Sequence, residues 1–421
     1  MGRLGNDSIT EKTSAVKDDL VLIGDSENSF ASRELKLKQI LGIDGFYAEK
    51  LHFVSPNFPD VGTYHSTLTL AKTNAESGDT IIVYAGSYNE KNLLKNGVNW
   101  HFMNGASVDY VGSSNGGIFD SSSKGSNEVT VCKITGNGSF NINNSGDSGD
   151  IVHASNSGDS IYIEFNSATS VNHRGLVTSG GSVITAVFDS IITSDGTLDC
   201  IGGNMYVKGR YAESTTGYVV EMDNEDVIGS GLFGYIEHLK GSFTNASGGY
   251  VTLEGRLIEV NVEFTIGVGV NIFKGYKITT YGDTSGNFFA ATSGTILEFW
   301  NCQIELNTEG IDVSSGAILN VYNSKLDAST PDESVINLSG GSGVFIKETE
   351  LKGAKGLALA SGFSGNVQLK GVTIIASGTS SITSVDSENV YVQGQLISNK
   401  AVDANTTLVG GSIIVNTGFT F

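Results

Sequence analysis

A repeat of short apolar segments, each interrupted by a bend residue, is the feature that most constrains how this chain can fold. Eight such segments lie between residues 251 and 414, with their central residues 17 to 26 positions apart. These centres are Gly255, Gly275, Asn301, Asn323, Glu348, Gly371, Gly394 and Gly411. In all eight segments the residue two positions before the centre and the residue three positions after it are apolar. Recurrence of this kind predicts a fold built by stacking similar units.

The chemistry of the repeat favours β-strands separated by sharp bends. Gly and Asn reach positive φ at lower cost than other residues, so each centre predicts a bend between two short strands. The apolar spacing of an amphipathic helix is missing, and Val, Ile and Thr are frequent. A unit of about 22 residues cannot bury its apolar side alone, but stacked units complete a common core. The sequence therefore predicts an all-β, single-stranded parallel β-helix.

Composition and charge narrow the possible partners. The chain of 421 residues carries a net charge of −20, which disfavours nucleic acids and anionic membranes as ligands. Its three cysteines form no CxxC pair, so neither a disulfide framework nor a zinc site is expected. The N-terminus contains no apolar segment of the signal-peptide type, and no apolar run is long enough to span a membrane. We expect no signal peptide, no membrane insertion and no cofactor.

The first 45 residues differ from the remainder and contain no repeat. The segment ITEKTSAVKDDLVLIGDSENSFASRELKLKQIL, residues 9–41, resembles the N-terminal attachment segments of bacteriophage tail fibres and tailspikes. This resemblance implies a virion protein, made in the host cytoplasm, whose residues 1–45 bind other tail or baseplate proteins. It also implies a homotrimer whose body contacts the host surface.

Residues 46–77 are predicted to form a connector and a capping helix. Tyr64, Leu68, Ala71 and Ala75 have the spacing of one amphipathic helix that ends before Gly78. The following stretch GDTIIVYAGSYNE resembles the opening coil of pectate-lyase-like β-helices, although Ala85 replaces the proline that is usual there. The resemblance implies a right-handed parallel β-helix over residues 78–421, with the helix covering its first coil.

No recognisable catalytic set accompanies this scaffold, so we leave enzymatic activity uncertain and expect none. If the chain were an enzyme, it would be a polysaccharide lyase or a glycoside hydrolase, yet the motifs of polygalacturonases and pectate lyases are missing from the coils. His173 and Arg174 are the nearest basic candidates and are expected to be solvated, whereas His101 and His153 are expected to be structural. The carboxylates that could form an acid/base pair or hold calcium are Asp147 with Asp150, Asp189 with Asp195 and Asp199, and the run from Glu221 to Asp226.

The repeat itself predicts a contact strip on the outside of the solenoid. Residues two before each centre should point inward, so those one before it should point outward. The strip has Trp300 and Tyr322 in its middle, about 5 Å apart on successive coils, with Lys274, Lys347 and Lys370 around them. Aromatic rings with polar edges stack on sugars and also fill subunit interfaces. We therefore expect this strip to contact either a glycan or another subunit.

These observations favour a structural virion protein that binds a host-surface receptor. Two alternatives remain on the same scaffold, a polysaccharide depolymerase and a passive fibre of the phage head or tail. A bacterial adhesin is disfavoured because such proteins are exported and would begin with a signal peptide.

Overall fold

The computed structural model describes residues 50–418, apart from 113–116, 122–128, 145–148, 223–229, 261–263, 281–288, 307–309 and 329–333. Residues 1–45, for which virion attachment was predicted, lie outside this part of the chain. Within it, one short helix accompanies 33 strands that are joined into one sheet. All pairings between the named strands are parallel, so the predicted all-β parallel β-helix is confirmed.

The N-terminal half contains the helix α1 (Leu68–Asn74) and the first sixteen strands. The strands are β1 (Leu51–Val54), β2 (Tyr64–His65), β3 (Thr80–Val83), β4 (Gly86–Tyr88), β5 (Asn99–Phe102), β6 (Ala106–Gly112), β7 (Phe119–Asp120), β8 (Val131–Gly136), β9 (Ser139–Asn144), β10 (Val152–Ala154), β11 (Ser160–Ser170), β12 (Leu176–Ser179), β13 (Val183–Thr193), β14 (Leu198–Ile201), β15 (Asn204–Met222) and β16 (Gly231–Val260). Several of the longer strands continue through a bend from one side of the solenoid to the next.

The C-terminal half is more regular and contains the repeat. Its strands are β17 (Phe264–Lys274), β18 (Lys277–Thr280), β19 (Phe289–Ala291), β20 (Thr295–Trp300), β21 (Gln303–Leu306), β22 (Ile311–Val313), β23 (Ile318–Tyr322), β24 (Lys325–Ala328), β25 (Ser334–Leu338), β26 (Gly343–Lys347), β27 (Glu350–Gly353), β28 (Lys355–Leu359), β29 (Asn366–Lys370), β30 (Thr373–Ala376), β31 (Ile382–Ser384), β32 (Glu388–Ser398) and β33 (Thr406–Val415). Each coil contributes one strand to each of three faces.

The three faces are defined by their hydrogen-bonded ladders. The first face contains β20, β23, β26 and β29, the second contains β21, β24, β27 and β30, and the third contains β22, β25, β28 and β31. The predicted bends separate the first face from the second. Because parallel strands stack in register at about 4.8 Å, each side chain lies directly above its counterpart in the preceding coil.

Side chains at equivalent inward positions form stacks inside the solenoid. Phe243 and Phe264 have ring centroids 4.5 Å apart, and Phe273 lies between them and Phe299. All four rings are fully buried. This continuous core explains why every inward position of the repeat is apolar, since a polar side chain there would lose its contact with water without gaining a partner.

The bends themselves follow the prediction at six of the eight centres. Backbone φ is positive at Gly275, Asn301, Asn323, Glu348, Gly371 and Gly394. At Gly255 the backbone is not left-handed, but a Cβ atom would lie 1.9 Å from the carbonyl oxygen of Ile236, so close approach is what requires glycine there. In the last coil the positive φ belongs to Gly410 instead of Gly411, because the register between β32 and β33 shifts by one residue.

The first coils begin earlier than the sequence indicated. Strand β1 pairs with β3 in parallel, so the segment interpreted as a connector already contributes to the ladder. The helix was predicted from Tyr64, but it begins at Leu68 after the N-cap Thr67, and Tyr64 lies in β2 with its ring stacked on Phe53. The carboxylate of Glu90 accepts hydrogen bonds from the first backbone N–H groups of α1, a favourable place for a negative charge.

Candidate functional site

The predicted contact strip forms one continuous outward row on the first face. Successive ladder pairs join Lys274 to Trp300, Trp300 to Tyr322, Tyr322 to Lys347 and Lys347 to Lys370. All five predicted residues are therefore brought together on neighbouring coils. They share this row because residues of a strand point alternately inward and outward and the coils keep the same register.

Trp300 and Tyr322 form a stacked aromatic pair at the surface. Their ring centroids are 3.8 Å apart and their planes differ by 20°. Trp300 Nε1 donates a hydrogen bond to Glu298 Oε2 at 3.0 Å, and Asn320 Nδ2 donates to Glu298 Oε1 at 2.9 Å. These bonds hold the indole ring in place while 37% of the residue stays exposed. The two inner faces cover each other, so the pair forms a preorganised aromatic surface whose edges and outer faces can pack against a ligand.

A third aromatic residue, Phe345, extends this surface, and the sequence analysis missed it. Its ring centroid lies 5.6 Å from that of Tyr322, with the planes tilted by 49°. Phe345 belongs to the adjacent outward row, two residues from the strip, where it pairs with Asn320 in the preceding coil. The alternation along FIKETEL could have located it, because Phe345 and Lys347 must point to the same side of the strand. We call Trp300, Tyr322 and Phe345 the aromatic platform.

An open groove of about 690 Å³ runs beside the platform, along the bends between the first and second faces. We call it the corner groove. Its polar side chains come from four successive coils, and they are Asn301, Gln303, Asn323, Ser324, Lys325, Glu348, Thr349, Glu350 and Thr373. The sequence repeat predicted the bends but not this groove, since a concave surface depends on the angle between two faces.

Hydrogen bonds and ion pairs order most of the groove. Asn323 Nδ2 donates to Asn301 Oδ1 at 2.7 Å, and Lys325 Nζ lies 2.9 Å from Glu350 Oε1. Lys347 connects the strip to the groove, because its Nζ lies 3.5 Å from Glu348 Oε1. The groove thus offers amide, carboxylate and ammonium groups of both charges, which suits a ligand rich in hydroxyl groups.

A second polar cluster lies on the third face of the N-terminal coils. We call it the Arg174 cluster, and it comprises Asp120, Asp150, His153, Arg174, Asp199 and Glu221. Arg174 makes two hydrogen bonds of 3.1 Å to the carboxylate of Asp150 and one of 2.8 Å to Asp199 Oδ2. His153 Nδ1 lies 3.3 Å from Asp150 Oδ2 and 3.6 Å from Asp120 Oδ1.

This cluster corrects the prediction that His173 and Arg174 are solvated. His173 is only 6% exposed, and 71% of the Arg174 side chain is buried between Asp150 and Asp199, since its relative exposure is 29%. His153 was expected to be structural, and it lies between the carboxylates of Asp120 and Asp150. The sequence could not show this, because these residues come from successive coils and meet only when the coils are in register. His101, by contrast, bonds to Thr135 Oγ1 at 3.0 Å, consistent with a structural role.

Burial dominates the electrostatics of the Arg174 cluster. It raises the pKa of Asp199 to about 7; Arg174 opposes this increase and Glu221 adds to it. Asp199 Oδ1 is buried and has no hydrogen-bond partner within the described residues. Burial acts against the charge of Arg174, but Asp150 and Asp199 raise its pKa, so the guanidinium remains charged. Asp199 is only 1% exposed, so a substrate in solution cannot reach its carboxyl group. The raised pKa therefore does not make Asp199 a candidate catalytic acid.

The remaining candidates contribute no site within the described residues. No group of three or more His, Cys, Asp or Glu side chains there could hold a metal ion. The calcium hypothesis for 221–226 can be followed only at Glu221, and Asp147 likewise lies outside the described residues. The three cysteines are buried and form no disulfide, and burial raises the pKa of Cys200 to about 12 and of Cys302 to about 11. No helix in the described ranges is long and apolar enough to cross a membrane.

Comparison of the chain with protein-family models, with curated proteins and with solved structures finds no match. The function must therefore be inferred from the aromatic platform, the corner groove and the Arg174 cluster.

Proposed function

We propose that this chain forms the body of a bacteriophage tail fibre or tailspike-type appendage and binds a glycan on the host surface. The observation that carries the proposal is the stacked Trp300–Tyr322 pair, which lies exposed beside a polar groove. The N-terminal resemblance supports the assignment to a virion, with residues 1–45 as the attachment segment.

The chemistry of the platform and the groove suits a carbohydrate. The faces of sugar rings carry C–H groups that pack on aromatic rings, whereas their edges carry hydroxyl groups that need hydrogen-bonding partners. Trp300 and Tyr322 supply the first kind of contact, and Asn301, Asn323 and Glu348 supply the second. Burial raises the pKa of Tyr322, with Glu298 adding to the effect, so its hydroxyl group stays protonated and can donate a hydrogen bond.

A different part of the first face supports self-association into the expected homotrimer. Tyr206 and Phe233 have ring centroids 5.5 Å apart, and Tyr206, Tyr235 and Tyr250 are between 38% and 47% exposed. Copies that each carry a charge of −20 repel one another, so association needs apolar contacts such as these to offset the repulsion. We call Tyr206, Phe233, Tyr235 and Tyr250 the aromatic patch and propose that it contacts neighbouring copies.

Glycan binding can be tested with purified protein and a panel of surface polysaccharides from candidate hosts. Affinity is measured by biolayer interferometry for the wild type and for Trp300→Ala and Tyr322→Ala. Both variants should bind at least tenfold more weakly, because hot-spot aromatics contribute at least about 2 kcal/mol. The matched control is Tyr391→Ala, an exposed tyrosine on the same face that lies outside the platform.

The same samples distinguish the alternatives. Release of new reducing ends would support a depolymerase, and failure of the wild type to bind any polysaccharide or to block virus adsorption would support a passive fibre. Light scattering tests the trimer, which should dissociate when Tyr206 and Tyr250 are both replaced by Ser. A monomeric wild type would contradict the proposed role of the aromatic patch.

A further inference from the structure

Glu348 adopts a backbone conformation that its side chain disfavours. Among the described residues, the non-glycine residues with positive φ are Asn92, Asn301, Asn323 and Glu348, so Glu348 is the one that is neither Gly nor Asn. Its φ is 52°. A longer side chain in the left-handed region is strained, whereas Asn tolerates this region and Gly is not strained at all. The equivalent position is Asn323 in the preceding coil and Gly371 in the next.

The fold does not require glutamate at this bend. The backbone N–H of Glu348 donates to the carbonyl oxygen of Lys370, and the N–H of Asn323 makes the same bond to Lys347. Any residue can supply that bond. The side chain of Glu348 is 58% exposed, and an exposed ion pair such as that with Lys347 stabilises a protein little. Strain that the surrounding structure does not need is a recognised sign of a functional position.

The position of Glu348 makes its carboxylate accessible to a ligand in the corner groove. Glu348 lines the corner groove, as does Gly371 in the next coil, where the missing side chain leaves space above the carboxylate. The other glutamate of the groove, Glu350, lies 2.9 Å from Lys325 Nζ and is neutralised by it. Glu348 is therefore the more accessible carboxylate at the centre of the groove, one coil beyond Tyr322.

We propose that Glu348 contacts the ligand directly and that the ligand is an uncharged polysaccharide chain lying along the solenoid axis. A carboxylate can accept hydrogen bonds from two adjacent hydroxyl groups of one sugar ring, and such charge-assisted bonds are strong. The next sugar rings then lie over the aromatic platform, since the coil spacing of about 4.8 Å is close to the length of a sugar unit. An anionic chain would be repelled by Glu348 and by the net charge of −20 of the whole protein. This inference rests on the proposed glycan-binding function.

Three substitutions of Glu348 separate its effect on ligand affinity from its effect on thermal stability. Glu348→Asn and Glu348→Gly relieve the backbone strain, so the thermal midpoint should rise by about 2 °C. Glu348→Gln keeps a strained side chain of the same size, so its midpoint should stay unchanged. All three should weaken binding about tenfold or more, because each removes the charged acceptor. Glu254→Gln is the matched control, an exposed glutamate on the same face in ordinary strand conformation, and it should change neither quantity.

The probes are dextran, galactomannan and purified O-antigen polysaccharides as neutral chains, and alginate and hyaluronan as anionic chains. Neutral chains should bind and anionic chains should not. If the Glu348 variants bind as tightly as the wild type while Trp300→Ala loses affinity, the inference is overturned and the proposed function stands. Binding restricted to anionic chains would overturn the ligand class. If the wild type binds none of the probes or the host polysaccharides, both proposals fail.

Discussion

The Asp199→Asn substitution should abolish a loss of stability that accompanies rising pH. In the folded protein burial raises the pKa of Asp199 from its usual 3.8 to about 7. Between these two values the folded protein holds a proton that the unfolded chain has released. The free energy of unfolding must therefore fall as pH rises through this window, and this contribution becomes constant above a pH of about 7. An ordinary carboxylate with a lowered pKa has the opposite effect.

The magnitude follows from the same two values. The difference between about 7 and 3.8, at about 1.4 kcal/mol for each pKa unit, corresponds to about 4 kcal/mol. Asn keeps the size of the side chain and an oxygen that can accept the hydrogen bond from Arg174, but it carries no charge at any pH. Relative to the wild type, the variant should therefore have similar stability near pH 4 and be about 4 kcal/mol more stable near pH 8.

Urea unfolding of both proteins, monitored by circular dichroism at half-unit steps of pH, measures this difference. The matched control is Asp189→Asn, since Asp189 is 43% exposed in its pair with Arg210 and such an exposed pair stabilises a protein little. A difference between Asp199→Asn and the wild type that does not change with pH would refute the reasoning. A difference that decreases with pH would mean that the ion pair with Arg174 outweighs the effect of burial.

Three further predictions concern the fold. Replacing Gly136 by Ala should cost about 3 kcal/mol or more, because its φ is 103° and a Cβ atom would lie 2.0 Å from the carbonyl oxygen of Phe102. Gly362→Ala should cost only about 1 kcal/mol, because nothing lies within 4 Å of a Cβ atom there although φ is 75°. Phe273→Ala should cost about 3–5 kcal/mol, because it leaves a cavity among Phe243, Phe264 and Phe299. Urea midpoints measure all three, and equal losses for the two glycine variants would show that steric contact at Gly136 is unimportant.

The parts of this structure that the sequence predicted are those determined locally and repeated. Alternation of inward and outward residues places Phe273, Phe299 and Val321 in the core, and the bend residues set the register that aligns Trp300 with Tyr322. One short repeat contains all of this information, because each coil has the same arrangement as the one before. The prediction of a left-handed bend failed at Gly255, where close approach to Ile236 is what requires glycine, and at the register shift in the last coil.

The candidate sites depend on how neighbouring coils and faces are placed relative to one another. The sequence of a single segment does not specify this placement. The corner groove exists because two faces meet at an angle along bends such as Asn301 and Asn323. The Arg174 cluster exists because Asp150, Arg174 and Asp199, which are 24 and 25 residues apart, come into contact in successive coils. The strain at Glu348 was visible in the sequence as the one centre that is neither Gly nor Asn. The proposed role of Glu348 in binding could be inferred only from its backbone angle, the exposure of its carboxylate and its position in the groove.

A crystal structure of the protein bound to an oligosaccharide, prepared from the polysaccharide that it binds most tightly, tests the central claim most directly. We expect density for sugar rings packed against Trp300 and Tyr322, with hydroxyl groups within hydrogen-bond distance of the Glu348 carboxylate. The chain should run along the solenoid axis, with neighbouring sugars on neighbouring coils. Sugar density on the third face beside Arg174, with the platform and the corner groove empty, would contradict it.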